Sequence, residues 1–207
     1  MFSIQKNNNN AVLAKISLDE SPLLRYNFNI KQHLRSELNT MPYESLECAI
    51  DAAARALITA LREKKMTFAT AESCTAGMIA ARMGDYAGVS DVLLGGVVSY
   101  ANEVKTNVLG VPEEVLSTVG AVSEECARYM ADGARRVTGA DVAVSVTGIA
   151  GPGGAVPGKP VGTVCFGVST SSGTKTETVY FPETAERGEI RRMTVLHALE
   201  LTREEIE

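Results

Sequence analysis

From Tyr43 onward the chain alternates between two rhythms of apolar positions. Leu46, Ile50, Ala53, Leu57 and Leu61 recur at three-to-four-residue steps, which predicts an amphipathic helix ending near Lys64 and Lys65. The two lysines suit the negative pole of its dipole. Residues 66–71 then read as a short strand and 75–83 as a helix stopped by Gly84. After a loop over 85–91, residues 92–100 form a strand pattern interrupted by Gly95 and Gly96. A short helix over 102–109 closes at Gly110, and Pro112 with Glu113 and Glu114 opens the next. Ser123 is placed to cap a helix running to Val137, with Glu124 and Glu125 in its first turn. The valine-rich run 141–147 reads as a buried strand, and a segment dense in glycine and proline fills 148–160. Strand patterns over 162–170 and 174–181 flank Ser171, Ser172 and Gly173, a hairpin signal, and a final helix covers 187–206. Helices alternating with strands until a terminal hairpin predict an α/β fold: a three-layer α/β/α domain with a mixed sheet.

Composition adds boundaries. A chain of 207 residues, 45% of them hydrophobic, fits one domain plus an appendage. The appendage is read as a flexible N-terminal extension over 1–42, which carries Asn7 to Asn10, and the domain as 43–207. Asp19, Glu20 and Glu37 argue against a transit peptide, while a targeting role for the extension stays open. A net charge of −5 speaks against a nucleic-acid surface, though not against a pocket for a small anion. No apolar stretch reaches membrane length. Cys48, Cys74, Cys126 and Cys165 form no CxxC pair or Cys/His metal spacing, so they read as reduced and mostly buried, which suits the cytoplasm.

Three segments carry candidate chemistry. The first is Thr70-Ala71-Glu72-Ser73-Cys74-Thr75-Ala76-Gly77, where a strand hands over to a helix. Side chains at such a junction lie near unpaired backbone N–H groups, which can hold an oxyanion or a phosphate. Ser73 is the candidate nucleophile, yet the segment offers it no proton acceptor. The plainer reading is that Ser73 or Thr75 caps the helix. Cys74 is a rival nucleophile with no partner histidine before His197.

The second is Tyr100 with Lys105. Five residues is about 140° around a helix, so the two meet only if Tyr100 ends a strand and Lys105 lies beyond a turn. A desolvated lysine can lose its proton and serve as a base. The plainer reading is an exposed lysine and an interfacial tyrosine. The third is the glycine-rich run from Thr147 to Gly154, which follows a strand, as ligand crevices in α/β sheets do. Its glycines miss the dinucleotide pattern GxGxxG. Residues 153–159 fit GxxxxGK, but Pro160 stands where Ser or Thr must hold magnesium and a strand follows, which rejects a phosphate-binding loop of the triphosphatase kind. Arg191 and Arg192, near the start of the last helix, offer planar forks for phosphate but point about 100° apart.

Five blocks together, TAESCTAG at 70–77, GVVSYANEVK at 96–105, GAVSE at 120–124, SVTGIAGPGG at 145–154 and KPVGTV at 159–164, resemble the CinA C-terminal domain family, in family order. Its characterised members are nicotinamide-nucleotide amidases. The resemblance implies hydrolysis of the carboxamide of nicotinamide mononucleotide to nicotinate mononucleotide and ammonia, in pyridine-nucleotide salvage. It implies Ser73 as nucleophile, Lys105 as base and Tyr100 beside it. Cys74 (through its backbone) and Thr75 would help hold the oxyanion or substrate. The turn containing Thr147, Gly148 and Gly151 would take the phosphate with an arginine of the final helix, Arg192 or else Arg191. The scheme needs no cofactor and no metal. Many relatives carry a larger N-terminal domain that residues 1–42 are too short to supply, so the amidase part alone is expected. The expected partner is a small phosphorylated substrate, without nucleic acid or membrane, and small α/β amidases often form homo-oligomers. The competing reading is a non-catalytic binder of a phosphorylated ligand, which would gain if Lys105 pointed into solvent. A third is the same chemistry on another amide.

Overall fold

The computed structural model describes residues 43–207, so the expectations for 1–42 lie outside the described residues. The elements run α1 (Tyr43–Lys64), β1 (Phe68–Glu72), α2 (Met78–Gly84), a 3-10 turn (Val89–Asp91), β2 (Leu93–Val98) and α3 (Asn102–Leu109). They continue with α4 (Glu113–Thr118), α5 (Glu124–Thr138), β3 (Val142–Gly148), β4 (Thr163–Thr170), β5 (Gly173–Tyr180) and α6 (Arg187–Ile206). One five-stranded mixed sheet has the order β2-β1-β3-β4-β5. β1 runs parallel to both β2 and β3, whereas β4 and β5 are antiparallel additions.

Burial on both faces explains the sequence pattern of the central strands. Every residue of β1 is buried, as is β3 up to Thr147, so neither shows the alternation of a half-exposed strand. On one face Leu57 and Leu61 of α1 pack with Phe68, Phe166, Leu196 and Leu199 in a core shared with α2 and α6. Each such fully buried side chain is worth about 1.5–3 kcal/mol of apolar transfer. On the other face Leu109, Val115, Met130 and Ala134, from α3, α4 and α5, cover Ala69 and Ala143. The result is the three-layer arrangement with helices on both sides. Among the described residues no helix is long and apolar enough to cross a membrane.

Local signals act as read. The Ser123 hydroxyl accepts the Cys126 N–H at 3.1 Å, and Gly139 ends α5 at φ 74°. Within α5, Gly133 lets the helix approach α3: a methyl there would sit 2.1 Å from the Leu109 carbonyl oxygen. Gly133→Ala is therefore expected to cost about 3 kcal/mol by overpacking, read as a lower urea midpoint. A loss below about 0.5 kcal/mol would show that the two helices can separate freely.

Several stretches differ from the sequence pattern: β1 covers 68–72 rather than 66–71, and β2 stops at Val98, two residues before Tyr100. α2 starts at Met78 rather than at 75, because Ala76 (φ 53°) and Gly77 (φ 94°) take left-handed conformations that continue no right-handed helix. The 148–160 segment is less irregular than its composition implies. Val156 and Lys159 form a bridge, the Ile149 N–H donates to the Thr163 oxygen, and the Lys159 ammonium reaches the Val119 oxygen at 2.6 Å.

Parallel pairing also sets where the chemistry can lie. Glu72 is in register with Val98 on one side and with Val146 on the other. The carboxyl ends of β1, β2 and β3 therefore finish level, which brings Ser73, Ser99 and Thr147 to one edge of the sheet.

Candidate active site

Glu72 is the last residue of β1 and is fully buried. Its carboxylate accepts five hydrogen bonds, from the Thr70 and Thr75 hydroxyls at 3.2 and 2.6 Å and from the N–H groups of Gly77, Ile79 and Ala80 at 2.9, 3.1 and 2.9 Å. A buried carboxylate is tolerable when its lone pairs are filled in this way, and here it fills the orphan donors of α2 from within the protein. The first turn of α2 is thus satisfied by Glu72, and its N–H groups are not an open anion site. Thr75 is buried with its hydroxyl committed to Glu72.

Ser73 follows directly and is held by its N–H to the Val146 oxygen at 3.0 Å. Its hydroxyl lies 3.1 Å from the Lys105 ammonium nitrogen. Lys105 sits in the first turn of α3 and is 1% exposed. Its nitrogen also donates to the Ser99 and Tyr100 carbonyl oxygens at 2.7 and 3.3 Å. Desolvation lowers its pKa from the ordinary 10.5, with smaller opposing contributions from Cys126 and Cys74. All three of these partners are neutral. Two are carbonyls, which can only accept, so a neutral lysine would spend its two N–H groups on them and turn its lone pair to the Ser73 hydroxyl.

The spacing of Tyr100 and Lys105 is resolved by the turn between β2 and α3. Lys105 meets the main chain of Tyr100 rather than its ring. The Tyr100 side chain is 58% exposed, and its hydroxyl accepts from Arg187 at 3.1 Å. Cys74 is buried, and desolvation above all pushes its thiol up to about 12, so it stays protonated at neutral pH. His197 pairs with Glu177 of β5, beyond β3 and β4 from Ser73.

Backbone donors beside Ser73 can be accounted for one at a time. Ala76 donates to the Ser73 oxygen, Met78 to the Thr75 oxygen, and Gly77, Ile79 and Ala80 to Glu72. Among the described residues, the N–H groups of Cys74 and Thr75 meet no acceptor oxygen, the Cys74 N–H lying against its own thiol sulfur. They directly follow the candidate nucleophile, the position from which a backbone N–H serves an acyl oxyanion.

The glycine turn is built for close approach. A Cβ on Gly148 would come within 2.7 Å of Val164 and one on Gly151, at φ 75°, within 2.7 Å of Val161. Thr147 is buried and donates its hydroxyl to the Ala121 oxygen at 2.7 Å. The Gly151 oxygen accepts from Arg187 at 2.7 Å. Arg187 thus spans the glycine turn and Tyr100 with one guanidinium. Arg191 instead donates to the Cys74 and Thr75 oxygens at 3.1 and 2.8 Å. Arg192 lies against α1, 3.9 Å from the Glu47 carboxylate. Sequence reasoning named Glu72 without giving it a role and passed over Arg187. A glutamate immediately before a strand-to-helix turn, with threonine three positions on, was a usable signal for the first. Nothing local marks the second, since its partners lie 36 and 87 positions away.

The sequence and fold are similar to those of known proteins. A family model described as the CinA C-terminal domain matches residues 50–206. A CinA-like protein of Mycolicibacterium gilvum is 53% identical over 138 residues, 66% of this chain and 32% of its own length. A putative competence-damage inducible protein of Symbiobacterium thermophilum is 44% identical over 183 residues, 84% of this chain and 42% of its own. The chain thus spans about a third to two-fifths of these relatives. The crystal structure of the competence/damage inducible protein CihA from Agrobacterium tumefaciens matches with a TM-score of 0.71 at 42% identity, covering 74% of this chain and 93% of that one. A competence damage-inducible protein A from Klebsiella pneumoniae matches at 0.72 and 34% identity, over 75% of this chain and 95% of that one. The chain belongs to the CinA C-terminal domain family.

Proposed function

We propose that the chain is a nicotinamide-nucleotide amidase that hydrolyses the carboxamide of nicotinamide mononucleotide through an acyl-serine. The observation that carries this reading is the desolvated Lys105 amine, 3.1 Å from the Ser73 hydroxyl at the end of β1. Neutral Lys105 takes the proton as the Ser73 oxygen bonds to the amide carbon. The N–H groups of Cys74 and Thr75 receive the negative charge that builds on the carbonyl oxygen. The lysine then passes its proton to the departing nitrogen, the carbon–nitrogen bond breaks, and ammonia leaves. Water repeats the sequence on the ester: Lys105 takes its proton, its oxygen bonds to the carbon, and Ser73 recovers its hydroxyl. Burial of Lys105 against Ser73 favours this reading over the non-catalytic binder, which would gain from a lysine in solvent.

Arg187 is assigned to the phosphate, with the Gly148–Gly151 turn beside it. Its guanidinium is partly exposed and already anchored on both rims of the site, at the Gly151 oxygen and the Tyr100 hydroxyl. A charge-assisted bond of this kind is worth about 1.5–3 kcal/mol. Arg187→Ala is expected to raise KM for the mononucleotide about 10–100-fold and to leave the nucleoside lacking phosphate within about 3-fold. Equal losses on both substrates would remove Arg187 from phosphate binding. The reading itself is tested by incubating the purified full chain with nicotinamide mononucleotide and following ammonia. No release by the folded protein rejects it, and release from unrelated amides at equal rates moves the substrate assignment to that class.

A further inference from the structure

Arg191 touches the site in a way that substrate binding does not explain. Its two donors go to main-chain oxygens, those of Cys74 and Thr75, in the turn that follows Ser73. A trans peptide is planar, with its C=O and the next N–H pointing oppositely. Fixing the Cys74 oxygen therefore fixes the direction of the Thr75 N–H, and fixing the Thr75 oxygen fixes the plane after it. The same turn holds Ala76 at φ 53°, a left-handed conformation that costs a non-glycine residue about 1–2 kcal/mol and has to be held by its surroundings. Glu72 grips the turn from the side of α2 through Thr75, Gly77, Ile79 and Ala80. Arg191 grips it from α6.

We propose that Arg191 is a positioning residue, whose fork on the Cys74 and Thr75 carbonyls holds the turn and aims the Thr75 N–H, one of the two backbone donors assigned to the oxyanion. The proposal rests on the amidase reading and departs from a phosphate role for this arginine. A guanidinium is suited to the task because two rigid donors meet two oxygens at once, which an ammonium on a flexible stem does not reproduce.

The test compares wild type, Arg191→Ala and Arg191→Lys on nicotinamide mononucleotide and on the nucleoside lacking phosphate. Thermal midpoints identify a variant that fails to fold. Loss of one aimed oxyanion donor lowers kcat about 10²–10³-fold. Both variants are expected to lose kcat by about 10²-fold, equally on the two substrates, with KM within about 3-fold. Arg191→Lys should recover no more than a few-fold. A KM effect confined to the phosphorylated substrate overturns the proposal, as does full recovery by lysine. A second arm does not depend on the substrate. A fluorophosphonate bonds its phosphorus to the Ser73 oxygen as fluoride leaves and Lys105 takes the hydroxyl proton, and its phosphoryl oxygen needs the same N–H groups. Labelling of Ser73, followed by mass spectrometry, should slow by a similar factor in both variants, and unchanged labelling overturns the proposal. If wild type labels at Ser73 yet releases no ammonia, the amidase reading has failed and the labelling rates alone decide the role of Arg191.

Discussion

Lys105→Ala is expected to lower kcat for ammonia release by about 10³–10⁴-fold with KM within a few-fold, at the upper end of what one general acid–base group supplies. The magnitude follows from the surroundings of Ser73, where His197 is engaged with Glu177 and the Cys74 thiol is protonated. Lys105→Arg should be almost as damaging although it keeps the charge, because a guanidinium does not give up its proton. The pH dependence has a defined sign. Burial lowers the pKa of Lys105 from 10.5, and the proposed mechanism uses its neutral form. In wild type, kcat/KM therefore rises with pH to a plateau whose midpoint lies below 10.5, and Lys105→Ala removes that limb. The unfolded chain holds the lysine proton more tightly than the folded one, so stability too rises with pH between the folded and unfolded pKa values. A Lys105→Ala profile with the same limb and rate as wild type would assign the base elsewhere.

The second large effect is structural and falls on Glu72. Removing its carboxylate leaves the Gly77, Ile79 and Ala80 N–H groups and two threonine hydroxyls without the acceptor they share. A buried donor left unmade costs about 1–3 kcal/mol, and partial rearrangement keeps the sum below the full total. Glu72→Ala is expected to destabilise by about 4 kcal/mol in urea denaturation. Glu72→Gln should cost a comparable amount, because its amide nitrogen would face donors where an oxygen now accepts. Activity should fall in both, since the turn that Glu72 holds also carries Ser73 and the Cys74 and Thr75 donors. A loss under about 1 kcal/mol for Glu72→Ala would mean that α2 finds other acceptors and that the carboxylate is not its anchor.

Glu72 also illustrates what the sequence made legible. The long helix α1 announces itself through apolar spacing, and Ser123 and Gly139 mark the ends of α5, because those features act within a few residues. The buried β3 was readable from its valines. The start of α2 was not, since its boundary is set by a carboxylate that bends the 73–77 turn away from helix. The place of Lys105 depended on whether Tyr100 ended a strand, which spacing alone left open. The division of labour among the arginines was hidden altogether. Arg187, Arg191 and Arg192 are neighbours on one helix, yet they reach the glycine turn, the Cys74–Thr75 backbone and Glu47 respectively, partners fixed only by tertiary packing.

Fold and family are thus secured by independent lines, and the reaction rests on one contact between two side chains. The measurement that bears on it most directly is the initial rate of ammonia release from nicotinamide mononucleotide by wild type and Ser73→Ala in parallel, with both shown to be folded. The Ser73–Lys105 mechanism predicts steady release by wild type and a rate lower by at least about 10⁴-fold for Ser73→Ala. Equal rates for the two proteins, or no release by wild type, would contradict it.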